Sequence, residues 1–366
     1  MSNFDIANIA LQSVCPNNEM LYDDKGMPSV MVKIPKCSWA DLGIGTSTAT
    51  FPAFIVNGVE KDCIYFSKYQ NIVQNSRAYS LPGQDPGNNI NLDTSISRCT
   101  AKGEGWHLQT RLEWMAVALW CLKNGTQPKG NNNYGRDVSE TVYKAIPSMA
   151  RDSSNKIQRV ATGTGPLTWS HDGTPSGIWD MNGNVSEWVG GIRTVNGELQ
   201  VISSDGVTFG NDAADATSSQ SATSSKWYAI DGTTGNLITP NGSGTTTNSL
   251  KADWVSSKWK WITGTLTSQD DNYHNCALES VTADDSVCEK AQHILMALGF
   301  LPIPEIAAGA LNSDQVYMNN GAAERSFSCG GSWFDSSLAG VFFVYGSYAR
   351  SGAYGTIGFR SAYTAP

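Results

Sequence analysis

Short apolar runs separated by polar and turn-forming residues mark the first seventy positions. VMVKIP, FPAFIVNG and DCIYFS, between about Pro28 and Tyr69, are short apolar runs bounded by turn residues and read as strands and turns. FSKYQNIV is expected to open a short helix, and SLPGQDPGNNINLD has the turn chemistry of a loop. The pattern changes at Thr110. Thr110 and Glu113 form a capping-box pattern, Leu112, Met115, Leu119 and Leu122 make an apolar stripe, and Gly125 supplies a stop. A helix is therefore predicted from Thr110 to Lys123, packed on the sheet that carries the later Gly-Gly-Ser-Trp segment. GTQPKGNNNYGRD returns to loop, and a second helix is predicted from about Asp285 to Leu298, ended by Gly299 and Pro302.

Between about Ile192 and His274 the composition shifts to Ser, Thr, Gly and Asn. WYAIDGTTGNLIT reads as a hairpin turning at Asp231 to Asn236. ATSSQSATSS and TPNGSGTTTNS are too polar to fill a core and read as exposed loops, and residues from about Ser203 to Ser249 are expected to be solvent-exposed within a Ser/Thr/Gly-rich insertion at about 192–275. Just before it, GIWDMNGNVSEWVGG spaces Asp180, Asn182, Asn184 and Glu187 closely. Such oxygen donors suit a structural calcium near Asn184. The EF-hand spacing fails, with Val185 at its sixth position and Gly191 at its twelfth. The other reading is a turn whose Asn and Asp groups bond to backbone, with Trp179 and Trp188 buried.

The chain is poor in charge, 16% Asp, Glu, Lys and Arg with a net charge of -8, which argues against a nucleic-acid or anionic-membrane partner. The N-terminus has an acid where a secretory signal wants a base. The apolar run from His293 to Ala310 is interrupted by Pro and carries Glu305, so no membrane insertion is expected. Eight cysteines show no zinc spacing with the four histidines and are read as reduced thiols.

The C-terminal stretch has a different texture. Cys329-Gly330-Gly331-Ser332-Trp333 opens it and Gly358-Phe359-Arg360-Ser361-Ala362 closes it. Between them, aromatic, small and hydroxyl residues alternate with glycine. Tyr345, Tyr348 and Tyr354 in that setting suit a binding surface, because Tyr offers large contact area at low rotamer cost. An edge strand with ordinary tyrosines is the alternative.

Four segments in order, GWHLQTRLEWMAVALW, GNVSEWVGG, GGSW and GFRSA, resemble the formylglycine-generating-enzyme (sulfatase-modifying) type of the C-type lectin fold. They run from Gly105 to Ala362. The departures are Gln109, where the family has Pro, and Leu112, where a further Glu is common. The resemblance implies an α+β, C-type lectin-like fold of short strands, two main helices and long loops, in a single domain over residues 1–366. That family holds oxidases, iron-dependent sulfoxide synthases and the variable proteins of diversity-generating retroelements. The oxidases need a cysteine pair after Gly-Gly-Ser, and no cysteine follows Cys329; the synthases need clustered histidines, and His107, His171, His274 and His293 are scattered. No enzyme activity and no cofactor are expected.

Similarity to the variable proteins fits better. There a reverse transcriptase randomises template adenines, chiefly in Asn codons, which cannot become Trp, Met, Gln, Lys or Glu. None of these five follows Trp333. The resemblance makes residues 329–363 a variable region and Trp333, Phe342, Arg350, Phe359 and Arg360 its scaffold. The displayed, ligand-binding set is then Phe334, Asp335, Leu338, Phe343, Tyr345, Ser347, Tyr348, Gly352, Tyr354 and Thr356. On a strand, Phe343, Tyr345 and Ser347 would share one face. The implied partner is a protein or other macromolecule on a target cell, with the chain virion-associated or cytoplasmic before display. An oxidoreductase of the same fold, or a surface adhesin of fixed specificity, remains the alternative.

Overall fold

The computed structural model describes residues 3–304, 309–311 and 313–366, so Glu305 lies outside the described residues. Strands dominate a mixed α and β architecture with four α-helices among those residues: α1 (Asn3–Val14), α2 (Leu92–Thr100), α3 (Arg111–Asn124) and α4 (Glu289–Ala297). Where two main helices were expected, α1 and α2 are additions. Helix α2 begins inside the turn-rich run because the Asn91 side chain accepts a hydrogen bond from the Thr94 amide and caps it. FSKYQNIV is not helical; Cys63–Ser67 is a strand and Ile72–Gln74 another.

Helix α3 forms as its sequence dictates. Thr110 and Glu113 make the reciprocal capping box, and Gly125 closes the helix at φ 66°. Its surroundings differ from a one-sided stripe. Residues from Arg111 to Leu119 are all buried, so the helix lies inside the protein. The Trp114 indole donates to the Val341 carbonyl at 2.7 Å, and the Arg111 guanidinium donates to the Cys329 Sγ at 2.9 Å. These bonds tie the helix to the start of the C-terminal stretch. Helix α4 starts at Glu289, later than predicted, because Asp284 to Ser286 form a turn closed by the Asp284 carboxylate.

Three larger sheets surround this core. In the first, all antiparallel, Ser361–Tyr363 lies between Cys63–Ser67 and Trp106–Leu108, so the chain's end is sewn into its beginning. The second has seven strands, and it buries Trp227, Ala229, Ile230 and Leu237 within the stretch from about Ser203 to Ser249 that was expected to be exposed. The hairpin at Asp231 forms with Ile230 opposite Leu237, and the Ser/Thr-rich loops are mostly exposed. Yet Leu199, Val201, Ile230, Leu250, Trp259 and Trp261 all enter the main core. Sparse apolar residues on short strands suffice to bury one sheet face.

The third sheet runs in the order His274–Ala277, Gln315–Met318, Val344–Tyr348, Ser326–Cys329, Ser186–Trp188, Ile357–Phe359. Val316, Met318, Phe327, Cys329 and Val344 point into the core. By the alternation of a strand, Tyr317, Ser328 and Tyr345 occupy the other face, where they are cross-strand neighbours. No helix among the described residues is long and apolar enough to cross a membrane.

Candidate functional site

The outer face of the third sheet carries a cavity of about 240 Å³ lined by residues from all six of its strands or their ends. Six aromatic side chains contribute: Tyr273, Tyr317, Phe334, Phe343, Tyr345 and Tyr348. Tyr317 and Tyr345 are stacked, with centroids 5.1 Å apart and planes at 29°. Tyr345 meets Tyr348 at 4.3 Å, and Tyr348 meets Tyr354 at 4.8 Å, extending the aromatic surface to the half-exposed Tyr354 at the rim. Tyr273 lies across the opening, 6.1 Å from Tyr317 and 6.3 Å from Tyr345.

That Tyr345 and Tyr348 share the cavity needs explanation, because an odd spacing should place them on opposite faces. A β-bulge resolves it. Ser328 pairs with Tyr345 and Ser326 with Tyr348, so Gly346 and Ser347 together oppose Phe327. The extra residue resets the alternation. Gly346 permits it, since a Cβ there would stand 2.1 Å from the Phe327 ring. The same bulge corrects the expected grouping of Phe343, Tyr345 and Ser347: Ser347 does not line the cavity and Tyr348 does.

The other sequence-predicted positions divide. Phe334 is exposed at the rim, edge-on to Trp333. Asp335 and Thr356 line the cavity. Phe343 is not displayed as expected; only 3% of it is exposed, and it forms a cavity wall 5.6 Å from Tyr317. Leu338 is partly exposed on a short turn away from the cavity, and Gly352 sits in a turn whose amide donates to Ala349. Tyr273 and Tyr317 were missed. The alternation in QVYM could have placed Tyr317 outward, but nothing local joins either residue to the C-terminal stretch.

Asp335 is the charged residue of the lining. Its Oδ2 accepts hydrogen bonds from the Ser332 amide at 2.6 Å and the Ser332 Oγ at 2.8 Å. Burial raises its pKa, and these bonds oppose the rise. Burial also pushes the Tyr317 phenol up to about 12, with the Asp335 charge adding to the effect. Tyr348 is raised for the same reasons, with Tyr345 and Tyr354 adding as well.

Behind the cavity the chain is held by a buried ion pair. Arg360 donates to both Glu187 oxygens at 2.7 Å, and neither side chain has exposed surface. Arg360 also donates to the Ser67, Lys68 and Trp179 carbonyls, while Gln70 and Gln109 donate to the Glu187 carboxylate. Gln109 thus uses the position where the resembled family has Pro. Gly330 and Gly331 take φ of 87° and 73°, which lets the Gly-Gly-Ser-Trp turn pack against the GNV turn. There the Gly183 amide donates to the Gly330 carbonyl and the Trp333 amide to the Asn184 carbonyl. Arg350 is tied to Glu324 at 2.9 Å and Asp93 at 2.5 Å. Phe359 packs with Trp188, Leu108 and Ile90.

In the oxygen-rich turn considered for calcium, the protein itself takes up most of the side-chain oxygens, and Asp180 Oδ1 is buried without a partner. Asn184 Oδ1 accepts from the Val160 amide and the Asn131 side chain, and Glu187 is committed to Arg360. Asp180 and Asn184 adopt φ of 62° and 63°, the left-handed turn conformation Asn and Asp tolerate. Among the described residues no group of three or more His, Cys, Asp and Glu side chains is arranged to hold a metal ion.

No protein-family model and no curated protein matches the chain. Among solved structures it is similar to PvdO from Pseudomonas aeruginosa, at 11% identity over 95% of this chain and 98% of that one, with a TM-score of 0.32. It is also similar to Treponema denticola variable protein 1, at 12% identity over 94% and 98%, with a TM-score of 0.32. Both are weak, fold-level likenesses.

Proposed function

We propose that the chain is a non-enzymatic ligand-binding protein with a C-type lectin-like fold of the formylglycine-generating type. Its C-terminal stretch is diversified in the manner of retroelement variable proteins, and the cavity on the third sheet receives the ligand. The observation that carries this reading is the concentration of aromatic side chains on one open sheet face, with Phe334, Phe343, Tyr345 and Tyr348 all drawn from the C-terminal stretch. The backbone beneath them is held by Glu187 and Arg360, so side chains at the cavity can change without removing what supports them. The cysteine of the stretch supports the non-enzymatic reading too: Cys329 lies on the core face, its thiol bonded by Arg111.

The test compares two variants of the full chain. Replacing Tyr345, Tyr348 and Tyr354 with Ala removes interface anchors, each worth roughly 2 kcal/mol or more if it is a hot spot. Melting should shift modestly, mostly through the lost edge contact of Tyr348 with Trp188, while capture of a partner from target-cell surface extract disappears. Phe359→Ala should cost about 3–5 kcal/mol of stability instead. A triple variant that binds as well as the parent would refute the reading. Neighbouring DNA with a reverse transcriptase gene and a near-copy of the last coding segment, carrying Asn codons at the cavity positions, would establish diversification.

A further inference from the structure

The cavity's chemistry is one-sided. Its lining holds six aromatic rings, several hydroxyls, a single carboxylate and no basic residue. An aromatic face carries negative potential, so rings that converge on one space attract positive charge. Here Tyr317 and Tyr345 form a stacked wall, with Phe343 at 50° to Tyr317 and Tyr348 at 31° to Tyr345. Asp335 completes the arrangement. Both of its hydrogen bonds fall on Oδ2, and Oδ1 has no bond to a described residue while not being a buried orphan. An anionic group would meet that carboxylate with nothing to offset it.

We infer that the cavity takes a cationic side chain, the ammonium of a lysine or the guanidinium of an arginine presented by a protein ligand. The inference rests on the reading of this face as the ligand site and names what it recognises. A volume of about 240 Å³ accommodates one such side chain and not a folded element. Tyr317 and Tyr273 lie outside the stretch taken as variable, so part of the aromatic lining is supplied by the fixed part of the chain. The remaining rings and the carboxylate come from the C-terminal stretch, which makes the preference for a cation a property of this sequence.

The experiment titrates the full chain, labelled with ¹³C on its tyrosine rings, with N-acetyl-lysine methylamide and N-acetyl-arginine methylamide. The N-acetyl-glutamine and N-acetyl-glutamate analogues and galactose serve as comparators. The two cationic probes should shift ring signals of Tyr317, Tyr345 and Tyr348 saturably, and the neutral and acidic probes should not. Asp335→Asn should weaken the cationic probes by about tenfold or more, since it removes the opposing charge while keeping an oxygen for the Ser332 bonds. Tyr345→Phe should retain binding, because the ring and not the hydroxyl holds the cation, and Tyr345→Ala should lose it. These two report on the cage even if Asp335→Asn fails to fold. Saturable binding of galactose without the cations, equal binding of the glutamine probe, or retention by Tyr345→Ala would overturn the inference. Partner capture that depends on the tyrosines yet resists competition by the lysine probe would overturn it while leaving the ligand-site reading intact.

Discussion

Asp314 lies between the strand of Tyr317 and the segment of Phe343 and carries a large acid–base consequence for the fold. It precedes the strand that holds Tyr317, and its Oδ2 accepts the Phe342 amide at 2.8 Å, next to Phe343. The carboxyl is buried, its Oδ1 has no hydrogen-bond partner, and burial pushes its pKa from 3.8 up to about 7. Because the folded state raises this acid's pKa, folding favours the protonated form. The stability is fully present below about pH 4 and is lost as pH rises through about pH 7. At ~1.4 kcal/mol per pH unit, the interval amounts to about 4 kcal/mol. Asp314→Asn cannot ionise and should escape this loss. It also places an amide N–H₂ where Oδ1 had no partner, at a constant cost of roughly 1–3 kcal/mol. The assay is urea unfolding of both proteins from about pH 4 to about pH 8, comparing their difference at each pH, since the constant cost cancels from the slope. The variant should gain on the parent by roughly 3–4 kcal/mol across that range. Other titrating groups, including Asp180 at about 6, are common to both proteins and drop out. Parallel curves would show that Asp314 does not sit in the environment described.

Arg360→Met should destabilise by roughly 3–5 kcal/mol in urea unfolding, because it leaves Glu187 buried with only Gln70 and Gln109 as side-chain partners. Adding Glu187→Gln should recover part of that loss; a single variant as stable as the parent would contradict the assigned pairing. Cys329, its thiol pushed up to about 11 by burial, should resist iodoacetamide at neutral pH and react only after unfolding. Mass spectrometry of labelled peptides checks this, and rapid native labelling would contradict the buried placement.

What could be read from the chain alone was local. Thr110, Glu113 and Gly125 act within a few residues of one another, and the predicted helix stands within a residue of its observed ends. The hairpin at Asp231 follows from turn chemistry in the same way, with the Asp231 carboxylate accepting the Thr233 and Thr234 amides. Failures began where a distant partner decides. The bulge at Gly346 and Ser347 depends on the Phe327 ring, and no periodicity within FFVYGSY reveals it. Tyr273 joins Tyr317 and Tyr345 only because a six-strand sheet brings their strands together. In residues 203–249 the abundant Ser and Thr obscured Trp227 and Leu237, which are buried. The Asp180–Glu187 turn had the composition of a metal loop, but apart from Asp180 Oδ1, which is buried without a partner, its side-chain oxygens are engaged by backbone amides, by Asn side chains and by an arginine far along the chain.

The geometry also ranks how freely the C-terminal stretch can change. Gly346 cannot carry a side chain without displacing Phe327, and Arg350 spans Asp93, Glu324 and the Gln220 carbonyl. Phe342 is in the core, so a polar residue there would forfeit its burial. Phe334 and Tyr354 lie at the opposite extreme, exposed at the rim, where replacement leaves no cavity behind. Tyr345 and Tyr348 fall between, half-buried against other rings, so a smaller residue there alters cavity shape at moderate cost. Phe343 is the most constrained of the chosen set: it is nearly fully buried, yet its ring is a wall of the site. Diversity concentrated at the rim with aromatics retained deeper would keep an adhesive floor under a changing edge. Such a surface can alter which neighbours of a bound side chain it tolerates while keeping the pocket that holds the side chain itself.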